Sequence, residues 1–239
     1  MSISEKLITI AENEPKIYDK GVSDERVKFT NAITDNGTRK NYMYAFAYAN
    51  YSGVRFAEPI TPDYYINHMF YSCANLTELP TPLDFSKILE TATDSYAYRR
   101  SVFAYCRNLE FVPDLNMRVI GGIEEWFIQC RKLHTIELLR VKRETIYNST
   151  FSMCDSLENI TFEGEIGQNI SFADCPKLST ASIVNIFEHL SDSQSATLII
   201  KTTAKENMSF PYTSPQTNIT YNSWDELVAT KSAWTISLA

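Results

Sequence analysis

The chain has few of the residues on which most enzyme sites are built. Among its 239 residues are seven glycines, three histidines and five cysteines. No glycine-rich phosphate loop and no G-x-S-x-G elbow occurs. His68, His134 and His189 form no spaced pair for a metal, and no C-x-x-C is present. No run of eighteen apolar residues exists, and the first thirteen residues lack an apolar core of signal-peptide length. Lys and Arg number 22 against 29 Asp and Glu, a net charge of −7. That balance argues against nucleic acid or an anionic membrane as the main partner. The expectation is a non-enzymatic protein with no catalytic residue, no cofactor, no metal and no membrane insertion.

What is present is a repeat. The frame F-x-x-C-x-x-L-x-x-Φ, with Φ apolar, fits Phe70, Cys73, Leu76, Leu79. It fits Phe103, Cys106, Leu109, Val112, then Phe127, Cys130, Leu133, Ile136, then Phe151, Cys154, Leu157, Ile160. A partial copy is Phe172, Cys175, Leu178, and a degenerate first copy centres on Phe46 with Ala49 in the cysteine place. All five cysteines occupy one repeat position, as small buried hydrophobes with reduced thiols. Phenylalanine spacings of 33, 24, 24 and 21 residues from Phe70 onward mean stacked supersecondary units that cover each other's apolar faces. Within a unit, Phe, Cys and Leu at i, i+3 and i+6 predict a short helical turn, α or 3₁₀. The tails Leu133-x-x-Ile136-x-Leu138 and Leu157-x-x-Ile160-x-Phe162 then predict a strand with alternate residues inward. The fold class expected is an α/β solenoid.

The order F-x-x-C-x-x-L followed by a strand resembles the BspA-type leucine-rich repeat, common in bacterial surface proteins and in phages of gut bacteria. The opening resembles that of a group of phage and prophage proteins of gut Firmicutes. The residues that carry this are Glu5-Lys6-Leu7, Ile10-Ala11-Glu12-Asn13, Pro15-Lys16-Ile17-Tyr18, Asn36-Gly37-Thr38-Arg39-Lys40-Asn41-Tyr42 and Tyr44-Ala45-Phe46-Ala47. An aromatic often found before the Asn-Gly turn is missing, since the positions read Asn31-Ala32-Ile33-Thr34-Asp35.

Three segments are expected: a leader over 1–40, a BspA-like leucine-rich repeat solenoid over 41–180, and an α/β cap over 181–239. Ser4 to Ala11 starts like a capped helix, so the leader is read as helical. It is either a cap for the solenoid or an attachment and oligomerisation device. The run Leu83 to Glu90 fills an insertion of about nine residues and is read as paired helical turns or a tolerated loop. The cap is read as a helix from Ser182 capped by Ser179 or Thr180, a strand over 196–201, a loop over 208–222, a helix from Ser223 and a strand from Trp234. It resembles the C-terminal cap of the same phage proteins and would block edge-to-edge association.

The outward strand residues form the candidate binding face: Thr77, Glu78, Glu110, Phe111, His134, Thr135, Glu137, Glu158, Asn159 and Thr161. Phe111 is the candidate anchor. The resemblance implies a phage virion protein of the tail or host-recognition apparatus, made in the host cytoplasm without a signal peptide. Its implied partners are other virion proteins, through the leader, and a host surface protein or glycan, with a homo-oligomer in the particle. The alternative is a bacterial cell-surface adhesin of the same repeat type.

Overall fold

A computed structural model describes residues 6–8, 17–19, 34–35, 40–49, 54–60, 66–79, 81–83, 85, 99–118, 121–147 and 149–239. The leader differs from expectation. Lys6–Ile8 (β1) is a strand, antiparallel to Ile17–Asp19 (β2), with Leu7 opposite Tyr18 and Ile8 opposite Ile17. The β-branched and aromatic residues of this pair suit a sheet, and long-range pairing outweighs the helix-like start at Ser4. Thr34–Asp35 (β3) pairs with Lys40–Asn41 (β4). Val54–Ile60 (β5) takes β2 antiparallel on one side and Thr81–Leu83 (β6) parallel on the other. Leu83 therefore closes a strand and not a helical turn, while positions 86–90 lie outside the described residues.

The Phe-x-x-Cys stretch is not helical either. It is a series of overlapping turns with a left-handed residue two places before and two places after each of Phe46, Phe70, Phe103, Phe127 and Phe151. These are Tyr44 and Tyr48, His68 and Ser72, Ser101 and Tyr105, Glu125 and Gln129, Ser149 and Met153, with φ between 54° and 64°. Successive three-residue turns reproduce the i, i+3, i+6 spacing that a helix would give. In the first copy the N–H groups of Ala45, Ala47 and Ala49 close turns onto Tyr42, Tyr44 and Phe46. Those of Tyr44, Phe46 and Tyr48 cross to the carbonyls of Asn67, Met69 and Tyr71 in the next coil. The same three crossings link the coil of Phe70 to that of Phe103, and that coil to the coil of Phe127.

The phenylalanines stack face to face along these coils. Phe46, Phe70, Phe103, Phe127, Phe151 and Phe172 form one column with centroids 4.9–6.3 Å apart. Beside it runs a thiol ladder. Cys73, Cys106, Cys130, Cys154 and Cys175 each donate to the phenylalanine carbonyl of the coil before, at 3.0–3.6 Å. That carbonyl also accepts the backbone N–H three residues on, so both lone pairs are used. Ala49 stands in this place in the first copy, where no described coil precedes it. Burial pushes the thiols of Cys106, Cys130, Cys154 and Cys175 above their ordinary value. Every residue expected in the repeat core, from Phe70, Cys73 and Leu76 to Phe172, Cys175 and Leu178, is buried.

Opposite the turns, Phe111–Asn116 (β7), Thr135–Arg140 (β9) and Asn159–Glu163 (β11) form a parallel sheet in the order β11-β9-β7. Between them in sequence, Gly121–Gly122 (β8) pairs with Thr145–Ile146 (β10) on a third side. The strand pattern differs from strict alternation. Val112 and Leu115 are buried in β7, and Ile136 and Leu139 in β9, so Leu138 is not the inward residue. In β11, Ile160 and Phe162 are inward, and a register shift between them accommodates the extra residue of β9. Gly164 (φ 97°) leaves β11 so close to Val141 that a Cβ would lie 2.1 Å from its carbonyl oxygen.

The array ends in a cap that supplies partners for both sides. Ile170–Phe172 (β12) lies at the last phenylalanine. Thr180–His189 (α1) is capped by Ser179, whose side chain accepts from Ser182 N. Along α1, Ser182 Oγ and Asn185 Oδ1 accept the edge N–H groups of Ile160 and Phe162 at 2.9 and 2.7 Å. Thr197–Ile200 (β13) pairs parallel with β12. A short helix, Thr202–Glu206 (α2), follows. The expected loop holds a hairpin of Tyr212–Thr213 (β14) and Thr220–Tyr221 (β15). Trp224–Ala229 (α3) is capped by Ser223, and Thr235–Leu238 (β16) adds to β13.

Candidate functional site

Two faces of the coils carry exposed chemistry. On the strand face, the bonds Glu110 N to Thr77 O, His134 N to Glu110 O and Glu158 N to His134 O, each 3.0 Å, bring four side chains into one column. Glu78, Phe111, Thr135 and Asn159 make the next column by direct register. Thr77, Thr135 and Thr161 are half-buried; the other seven expected residues are exposed. Glu110, His134 and Glu158 line an open depression of about 300 Å³ with Lys132, Ser156 and Lys177. Farther along the strands the surface is already occupied by ion pairs. Arg140 grips Asp114 through two nitrogens at 2.8 and 2.7 Å and reaches Glu163 at 2.7 Å, and Arg118 also pairs with Glu163. The Arg140 hydrogen bonds hold the Asp114 carboxyl below its ordinary value.

The turn face carries an aromatic cluster that the sequence reading did not assign. Tyr44 stacks on His68 with centroids 4.6 Å apart and planes 7° from parallel. Tyr71 meets His68, Tyr48 and Tyr105 at 5.1, 5.6 and 5.1 Å. Tyr48 is 63% exposed. At the rim, Arg100 pairs with Glu125 at 2.8 Å, and Ser101 donates to the same carboxylate. Burial raises the Glu125 carboxyl, but the hydrogen bonds from Arg100 and Ser101 outweigh it and the net shift is downward. Burial, then the Arg100 charge, lowers the His68 imidazole, so it is neutral at pH 7. The signal was present in the sequence. Aligned on the phenylalanines, Tyr44 lies two before, Tyr71 one after, and Tyr48 and Tyr105 two after.

Neither face assembles reactive groups. Among the described residues no group of three or more His, Cys, Asp or Glu could hold a metal ion. Nor is any helix among them long and apolar enough to cross a membrane. His189 bonds Asn185 O at 2.8 Å within α1. A cleft of about 140 Å³ between β11, α1 and residues 212–216 is closed by its own bonds. Asn185 donates to Gln216, and Glu188 accepts from Ser214, Thr217 and Tyr221. Burial and the Glu188 charge push the Tyr221 phenol up to about 12.

Residues 2–110 and 97–197 match the family described as the BspA type leucine rich repeat region. The chain belongs to that family. No curated protein and no solved structure matches it. BspA-type repeats are generally non-enzymatic and serve protein interaction or surface roles. In this BspA-type chain the phenylalanine is kept from Phe46 to Phe172 and the thiol from Cys73 to Cys175.

Proposed function

We propose that this chain is a non-enzymatic structural protein of a phage particle, in the tail or host-recognition apparatus. In this reading it binds a host surface protein or glycan through the repeat array and is mounted as a homo-oligomer on other virion proteins through residues 1–40. The observation that carries the binding part is the aligned column of Thr77, Glu110, His134 and Glu158. Successive backbone bonds hold it beside an exposed Phe111. A rigid, polar, solvent-facing surface with one aromatic anchor suits recognition. The phage assignment rests on the resemblance of the opening and closing segments. A bacterial surface adhesin would use the same face.

The test is binding of the labelled chain to a panel of gut bacterial cells, with Glu110, Phe111 and Glu137 replaced together by alanine. Binding should fall while the thermal midpoint stays. Binding that survives the triple change removes the strand face from the proposal. Light scattering on the full chain tests the mounting: a closed trimer or hexamer is expected of a symmetric virion part, and a monomer in all conditions counts against it.

A further inference from the structure

We propose that the open edge of β16 pairs antiparallel with β16 of a second copy, joining two arrays at their closing ends about a twofold axis. This contact is separate from the strand face and from the leader of the reading above. The sheet at the end of the array runs β12-β13-β16, and among the described residues β16 has no second neighbour. The N–H groups of Thr235 and Ala239 go to Ala196 O and Ile200 O on the β13 side. Backbone groups alternate sides along a strand, so those of Ile236 and Leu238 point away from β13 into the open edge.

The chain treats its edges differently. On β11, α1 lays Ser182 Oγ and Asn185 Oδ1 onto the N–H groups of Ile160 and Phe162. Among the described residues no side chain does so for β16. Nor does β16 carry the charge, proline or bulge that commonly protects an edge. The core rows also run out into solvent there. In register, Phe172, Ile200 and Leu238 follow one another across the sheet, as do Ile170, Leu198 and Ile236. The first two of each row are buried, but Leu238 is 44% exposed and Ile236 is half-buried. β16 thus carries the inward apolar face one strand beyond the closed core.

The strand is its own complement. With the twofold at Ser237, Ile236 of one copy exchanges both backbone bonds with Leu238 of the other, and Leu238 does the same with Ile236. These side chains share a face, so each leucine meets an isoleucine. Ser237 then lies opposite Ser237, and serine is small enough for the close approach of a pair that shares no hydrogen bond. A foreign strand would have to supply apolar residues at alternate places, and the second copy already has them. Charge agrees with this occupant. The net charge of −7 sets copies of the chain against each other, yet no charged side chain occurs from Ser232 to Ala239. Pairing about a twofold also closes on itself, which covers both edges at once.

The test is the mass of the full chain by sedimentation over a concentration series, with backbone hydrogen exchange alongside. The chain should dimerise as concentration rises, and the amides of Ile236 and Leu238 should gain protection with the dimer. Ser237→Lys and Ser237→Glu should each be monomeric, because like charges then meet on the twofold, and an equimolar mixture of the two should dimerise again. Ser237 is exposed, so both variants should keep the wild-type thermal midpoint. Leu238→Ala, which removes apolar contact without adding charge, should weaken the dimer severalfold. A monomer at every concentration overturns the proposal, as does a dimer that Ser237→Lys leaves intact. Failure of the mixture to re-associate rules out the twofold pairing. Oligomers that grow without limit also count against it, since they need a head-to-tail contact. A trimer or hexamer unchanged by Ser237→Lys overturns this proposal and leaves mounting through residues 1–40 standing. A hexamer that Ser237→Lys cuts to trimers supports both contacts.

Discussion

Phe70 and Phe103 are separated by an interval nine residues longer than the next two, yet their rings stack at 5.3 Å, within the range of the other pairs. On the strand side the same interval leaves, among the described residues, a single bridge from Glu78 to Phe111, where β7 and β9 run together over their whole length. The turn side is thus a spine of fixed geometry, and the strand side absorbs insertion. On the spine the coils of Phe46, Phe70 and Phe103 each spend three N–H groups on the next coil, and every ring and every cysteine contacts a neighbouring coil. Net gains of roughly 0.5–1.5 kcal/mol per hydrogen bond add to the burial of an aromatic ring at every step. The strand face exposes side chains that can change with little effect on those terms.

The contrast can be broken most severely at the ring column. Phe103 touches Phe70, Trp126 and Phe127, so Phe103→Ala should cost about 3–5 kcal/mol in urea unfolding. A loss under 1 kcal/mol would mean the column is not the spine. Cys154→Asp places an unpaired carboxylate beside the Phe127 carbonyl and should cost about 3 kcal/mol or more; an unchanged thermal midpoint would put the thiol outside the core. Met153, partly exposed at φ 56°, isolates the backbone contribution. Met153→Val should lose about 1–2 kcal/mol through left-handed strain, while Met153→Gly should be close to neutral. Equal effects of the two would show that the side chain matters and not the dihedral.

A smaller effect depends on pH. His68 is held neutral by burial and Arg100, against the pull of Glu125, so the unfolded chain binds the extra proton. Stability from this source is complete above the ordinary value of 6.5 and falls as the pH drops below it. His68→Asn should flatten the fall of the thermal midpoint between neutral pH and pH 5; an unaltered slope would assign it elsewhere. The strand-face triple variant should give the smallest change, within about 0.5 kcal/mol for each exposed site.

The repeat frame was legible because one residue type at one position must satisfy one environment. Each cysteine fits a narrow place beside the previous phenylalanine carbonyl, and Ala49 replaces it where no described coil precedes. The backbone of that frame was not legible. Left-handed residues are usually marked by glycine, and here the positions hold Tyr, His, Ser, Glu, Gln and Met. The inter-coil bonds hold them there, and no single copy contains its partner. Leu138 was misplaced for a similar reason, since the extra residue of β9 appears only when β11 is laid beside it. The cap helices were readable from Ser179 and Ser223, each of which accepts the N–H three residues on. The tyrosine cluster was hidden because its members come from three copies, and only stacking joins them.

The crossings on the turn side all run one way, with N–H of one coil to carbonyl of the next. The array therefore has a sense, like a threaded rod. Acceptors face one end and donors the other, so the two ends need different finishing pieces, and β13, paired with β12, serves the donor end. Any interior coil, by contrast, could be duplicated or deleted as a whole and leave both ends facing the chemistry they are built for. Length in this design is a free variable that evolution or an engineer can set in whole coils.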